Sequence, residues 1–445
     1  MKEKKMVTLS VGKKRKLGAL SSMLAKTVGA VSLVAILASC GTSPGYSYTI
    51  GGTVNGMVGS NIVLQNNSGD DRSLSANGAF SFPTPLSDAA AYAVTIKTQP
   101  TNPSQVCYVS NDSGTINGAP VGDVYVNCVT DPTSITVDPL GQFAYAANEF
   151  LNQVWVYTIN SDGTLSPLGT PVVTGNNPVS VKVANGFAYV VNAGSNNISV
   201  YSINSDGTLS PLQIVGTGNN PVSLAFDSSR DYAYVTNMSD NTIWVYTINS
   251  DGTLSPLGTP VGTGNSPVSL AFDSSGDYAY VTNMSDNTIW VYTIANGELT
   301  SVGQTIGTES SPVSIVTDLF GSSGQFAYVI NENSYTISVY TITDGELTST
   351  QNVATGKGPT SIITVLVGSS EFAYETNAID GTISAYTITN GILSTSPLQT
   401  VSAGTYPAAV TVDKPLNGKF AYVANMGGSN ILAYIINPDG TLTPQ

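Results

Sequence analysis

The chain has 445 residues, of which 41% are apolar and only 10% charged, with no histidine and a formal net charge of -14. Without histidine, neither Ser-His-Asp nor Cys-His catalysis can be assembled, and zinc patterns containing histidine are absent. The acidic balance argues against DNA, RNA and anionic membrane surfaces as partners, because binding to phosphates is carried largely by Lys and Arg.

The first forty residues read as an export signal. Lys2, Lys4, Lys5, Lys13, Lys14, Arg15, Lys16 and Lys26 form a basic region, and a short apolar run follows that ends at Leu37-Ala38-Ser39-Cys40. About a dozen apolar residues are too few for a permanent membrane span, which needs roughly 20. The Leu-Ala-Ser-Cys stretch resembles a bacterial lipobox. The resemblance implies that residues 1–39 are removed, that Cys40 is lipidated, and that residues 40–45 form a flexible leader. Gly41 after the cysteine resembles lipoproteins sent to an outer membrane, so the expected location is the cell envelope, lipid-anchored at the outer membrane or cell surface. Without the signal, the chain keeps seven basic and 28 acidic side chains, a formal charge of -21.

Residues 46–130 contain short alternating runs such as "NIVLQNN", "AYAVTIKTQP" and "DVYVNCV", separated by Gly, Asn, Asp and Pro. The pattern predicts a small antiparallel β-sandwich. Its two cysteines, Cys107 and Cys128, form an isolated pair in an exported chain and are predicted to make a disulfide. The stretch resembles the small immunoglobulin-like domains of bacterial surface lipoproteins, which implies a spacer between membrane and main domain.

From 131 to 445 the chain repeats. "FAYAAN" at Phe143 returns as "FAYVVN", "YAYVTN", "YAYVTN", "FAYVIN", "FAYETN" and "FAYVAN", and "VTNMSDNTIWVYTI" occurs twice without change. The closing asparagines, Asn148, Asn192, Asn237, Asn283, Asn331, Asn377 and Asn425, lie 44 to 48 residues apart. Each unit holds four strand candidates and no helical periodicity. Trp244, Tyr246 and Ile248 alternate with Ile243 and Val245, so both sheet faces are apolar, as stacking between neighbours requires. Seven such units predict an all-β, seven-bladed β-propeller of four-stranded blades. The last unit ends on its own fourth strand, and strand exchange at the closure stays open.

The motif "FAYVxN...IxVYxI...DGxLxP" resembles the YVTN propeller repeat and the lactonase-like seven-bladed propellers, 6-phosphogluconolactonase-type proteins among them. The resemblance covers about 310 residues. It implies the fold firmly, and it is shared by surface proteins, lipoproteins and enzymes.

The seven asparagines are predicted to be turn residues that cap backbone groups. Asp138, Asp227, Asp273, Asp318 and Asp413 close the first strands of their units. They are predicted to start type I turns, with a ring of cation ligands, calcium in particular, as the alternative. No other cofactor is called for. Glu149, Arg230, Glu332, Lys357, Glu371 and Glu375 break the repeat and read as solvated surface charge, while Trp155, Trp244 and Trp290 read as packing between blades. With no histidine base in reach, the expected function is a non-enzymatic envelope platform for a protein or glycan partner. The alternative is a lactonase-like hydrolase that uses carboxylates or a bound metal in the central cavity.

Overall fold

The computed structural model describes residues 46–55, 57, 61–100, 106–129, 132–318, 325–414, 418–427 and 430–445. The signal, the leader and Cys40 lie outside these residues. Tyr48–Gln445 form one compact unit.

Two four-stranded sheets precede the repeats. Gly78–Ser81, Ile50–Asn55, Val121–Val129 and Val106–Ser110 form one, and Asp70–Leu74, Ile62–Asn66, Ala91–Thr98 and Ser113–Thr115 form the other. Alternate residues of both sheets, including Ile50, Val54, Leu64, Val94 and Val126, enter one buried core. The expectation of wholly antiparallel pairing needs correction, because Val121–Val129 runs parallel to Ile50–Asn55. These strands are far apart in sequence, and no hairpin turn dictates their direction. Cys107 and Cys128 sit opposite each other on adjacent antiparallel strands and are disulfide-bonded.

Seven sheets follow, each from one continuous stretch of chain. Their innermost strands are Pro132–Val137, Pro178–Ala184, Pro221–Phe226, Pro267–Phe272, Pro312–Asp318, Pro359–Val367 and Pro407–Val412. We number the blades 1 to 7 in that order. Each innermost strand packs beside the next around a cycle, and that of blade 7 packs beside that of blade 1. The ring is therefore closed. In blade 7 all four strands come from Pro407–Pro444, so closure is made by packing and not by a strand borrowed from blade 1.

The alternation seen in the sequence sets the packing. Trp244, Tyr246 and Ile248 of blade 3 join the core shared with blade 2, and Ile243 and Val245 join the core shared with blade 4. The repeated motif also ties neighbouring blades together. Its first aromatic rests on the glycine of the third-to-fourth-strand turn in the next blade, as Phe187 does on Gly252. Its tyrosine donates to that glycine's carbonyl, as Tyr189 Oη does to Gly252 O at 3.0 Å. The tyrosine of the third strand reaches the other way: Tyr246 Oη donates to Gly216 O of blade 2 at 2.7 Å. A blade thus grips both its neighbours with buried hydrogen bonds, and one brick can be copied without redesign.

Candidate functional site

The seven asparagines close the second strands and are buried at 0 to 1% exposure, so they are not in the turns themselves. The amides of Asn192, Asn237, Asn283 and Asn331 donate to the carbonyl two residues earlier. Thr174 and Thr217, from the loop of the preceding blade, donate to the Oδ1 atoms of Asn192 and Asn237. Asn148 does cap a turn, accepting from the Leu151 amide at 3.0 Å. Asn425, also buried, ends the second strand of blade 7. Left-handed turn geometry falls instead to Asn152, Asn196, Asn241 and Asn287, at φ near +55°. Short polar side chains suit both jobs, and the sequence pattern alone did not separate them.

The repeated aspartates serve their own hairpins. Asp138 accepts from the amides of Leu140, Gln142 and Phe143. Asp227 and Asp273 accept from the amides of Tyr232 and Tyr278 at 3.0 Å and from the hydroxyls of Ser229 and Ser275. Asp413 accepts from the amides of Lys419 and Phe420. The oxygens that a cation would need are thus directed at the backbone. Among the described residues, no group of three or more His, Cys, Asp or Glu side chains is placed to hold a metal.

Asp318 differs. It shares a hydrogen bond with Glu371 of blade 6, whose pKa is raised by burial first and then by the Asp318 charge and this bond. Glu371 lines a cleft of about 530 Å³ together with Ser370, Thr387, Asn390 and Asp439, and no innermost strand contributes to it. Glu375 corrects the expectation of solvated charge more sharply. It is fully buried, and burial above all pushes its pKa up to about 8, against hydrogen bonds from Asn377 and Ser384 that lower it.

The central channel is walled by the innermost strands. The fifth residues of these strands are Thr136, Lys182, Ala225, Ala271, Val316, Ile363 and Thr411, of which Ala225, Ala271, Val316 and Ile363 pack against the cores between blades. Six of these are half-buried and one, Lys182, is exposed. Before the last residue of each strand, Lys182 is the one charged side chain that these walls carry. Desolvation disfavours its ammonium form and lowers its pKa. The sequence reading missed Lys182, although alignment of the seven first strands marks it: a lysine stands where other blades have Thr, Ala, Val or Ile.

The fold is a closed seven-bladed propeller. The protein family described as lactonase, 7-bladed β-propeller, matches residues 94–225, 185–317 and 318–445. The chain belongs to that family. No curated protein sequence matches it. Among solved structures it is similar to the periplasmic gluconolactonase PpgL of Pseudomonas aeruginosa, at 20% identity and a TM-score of 0.57, covering 66% of this chain and 91% of that one. A protein from Lactobacillus plantarum matches at 17% identity and a TM-score of 0.57, covering 79% and 98%. Virginiamycin B lyase of Staphylococcus aureus matches at 20% identity and a TM-score of 0.50, covering 68% and 94%. At these identities the similarity to solved structures establishes the fold.

Membership in a lactonase family supports a catalytic role and overturns the expectation of a non-enzymatic platform. That expectation rested on the missing histidine.

Proposed function

We propose that the protein hydrolyses lactones outside the cytoplasm, with the substrate bound in the central channel. The observation that carries this reading is the lactonase family match, which extends over the whole ring. The fold relative from P. aeruginosa is a periplasmic gluconolactonase, which agrees with the export signal and makes aldonolactones the first substrates to try. Lipidation at Cys40 would tether the protein in the envelope, and residues 46–130 would act as a small domain that spaces the ring from the membrane.

The test is continuous titration of acid released from glucono-δ-lactone and from γ-lactones by the purified protein, set against spontaneous hydrolysis. Release well above the uncatalysed rate is expected. Rates equal to buffer across both ring sizes would exclude the reading. Anchoring is checked separately, by incorporation of labelled fatty acid that is lost in Cys40→Ser.

A further inference from the structure

The ring closes between blade 7 and blade 1, and the outer edge of that seam differs from the other six. In blades 2 to 5 the fourth strand pairs along the whole third strand, as Leu254–Gly262 does beside Thr242–Ile248. In blades 1 and 6 two shorter strands share that place. In blade 7 the fourth strand, Leu442–Pro444, pairs with Tyr434–Ile436 alone, and the Gln445 amide adds one bond to Ala433 O at 3.0 Å. Among the described residues, Asn430, Ile431 and Leu432 have no fourth-strand partner.

A tyrosine in each third strand registers the difference. Tyr201, Tyr246, Tyr292, Tyr340 and Tyr434 donate to a backbone carbonyl on the fourth strand of the preceding blade, at 2.7 to 3.2 Å. Tyr157 of blade 1 packs in the core shared with blade 7, and its buried hydroxyl has no partner among the described residues. The Tyr386 hydroxyl is also without one, but there the preceding blade supplies a long fourth strand, Glu346–Ala354.

The leading sheets reach this seam. Tyr108 shares a cavity of about 160 Å³ with Tyr157 and Leu165 of blade 1 and with Ile431, Ala433 and Gln445 of blade 7. One side chain from outside the ring thus meets both blades of the closure. Tyr108 lies on Val106–Ser110, the edge strand of its sheet. Cys107 and Val109 on either side of it turn into the sandwich core, so Tyr108 points outward. Cys107 is bonded to Cys128, on the strand Val121–Val129 that leads into blade 1 at Pro132. The disulfide therefore ties the strand that carries Tyr108 to the strand from which the ring begins.

We propose that the disulfide-bonded strands Val106–Ser110 and Val121–Val129 are the latch of the ring, with Tyr108 bracing blades 7 and 1 where the fourth strand of blade 7 leaves the edge open. A seam with fewer backbone hydrogen bonds opens more readily than its counterparts, and a contact that is lost on opening holds it shut. The leading sheets then take part in closing the propeller.

The experiment is hydrogen exchange on the purified wild type, on Tyr108→Ala, and on the wild type with its disulfide reduced. Tyr108 is 37% exposed and turned away from the sandwich core, so its loss leaves that core intact. In Tyr108→Ala the third strands at the seam, Gln153–Ile159 and Asn430–Ile436, should exchange about fivefold faster, the size expected for a partly buried aromatic contact. Thr288–Ala295 of blade 4 and Ile62–Asn66 of the leading sheets should keep their wild-type rates. Reduction should quicken the same two third strands, by freeing the strand that holds Tyr108. Unchanged rates at the seam in Tyr108→Ala, or an equal quickening in blade 4, would overturn the latch. So would a response to reduction that stays within the leading sheets.

Discussion

The ring of Phe420, in the last blade, packs so tightly on Gly163, in the first, that a Cβ at position 163 would lie 2.2 Å from a ring carbon. The same contact joins Phe143 to Gly207, Phe187 to Gly252, Tyr232 to Gly297, Tyr278 to Gly345, Phe326 to Gly391 and Phe372 to Gly440. Six of these seams lie between blades that follow one another in sequence. The seventh, Phe420 on Gly163, joins the two ends of the repeat array and closes the circle.

Gly163→Ala should therefore be more damaging than backbone strain alone allows. Gly163 has φ of +91°, so any side chain there carries a conformational penalty, to which the clash with Phe420 adds. Gly186 shares the left-handed backbone, at φ +83°, but has nothing within 4 Å of its would-be Cβ. We expect a loss of about 2–4 kcal/mol for Gly163→Ala and about 1 kcal/mol for Gly186→Ala, measured by urea unfolding. Equal losses at the two sites would show that the closure seam is slack.

The tyrosine beside each of these aromatics gives a second, finer comparison. The hydroxyls of Tyr145, Tyr189, Tyr280, Tyr328 and Tyr374 donate to the glycine carbonyl of the next blade. Those of Tyr234 and Tyr422 are buried without a hydrogen-bond partner. Tyr328→Phe should cost about 1 kcal/mol, because it strands the Gly391 carbonyl. Tyr422→Phe should be neutral or slightly stabilising, since it removes an unsatisfied buried hydroxyl. Melting curves for the pair would decide this, and a loss at Tyr422 matching that at Tyr328 would contradict the account.

Much of the ring was legible in the sequence because its two signals are local and repeated. Period-two alternation gave the faces of Thr242–Ile248, and the spacing of the asparagines gave the blade count. The misses have a common physical origin. Whether a polar side chain is buried depends on which strand is innermost and on what the next blade presents, and neither is local. Asn192 and Asn196 look alike in sequence, yet one braces an interface and the other bends the chain. Glu375 occupies the register of Val190, Val235 and Val281, and that register marked it as a core position despite its charge. Lys182 was visible only once the first strands were compared position by position. Parallel pairing of Val121–Val129 with Ile50–Asn55 had no local signal at all.

The disulfide between Cys107 and Cys128 spans 21 residues. A loop of that length restricts the unfolded chain by about 3 kcal/mol in the chain-entropy account. Reduction, or the double replacement of both cysteines by serine, should destabilise the two leading sheets by roughly that amount. Hydrogen exchange can locate the effect. It should quicken in Val106–Ser110 and Val121–Val129 and leave the strands of blade 4 unchanged.

Glu375 makes the stability of the ring depend on pH. Its side chain sits between Ile362 and Ser384 on the face of blade 6 that packs against blade 5. Asn377 donates to one of its oxygens at 2.9 Å, the Ser384 hydroxyl hydrogen-bonds to it, and the other oxygen has no partner. The other ionisable groups acting there are Asp380, whose charge raises the pKa further, and Tyr386. The carboxyl titrates near 4.5 in the unfolded chain and at about 8 in the folded one. Between those values the folded state holds a proton that the unfolded state has released. The contribution is complete below about pH 4.5 and is lost as pH rises to about 8, to a total on the order of 5 kcal/mol. Glu375→Val restores the residue found in most blades and frees the Asn377 amide to donate to its own strand, as Asn192 does. The variant should match or trail the wild type at pH 5 and exceed it at pH 8 to 9. The stability difference between the two proteins, followed by denaturant unfolding across that range, reads this one group. A difference that does not change with pH would mean that Glu375 is ionised in the folded ring or titrates there as it does in the unfolded chain.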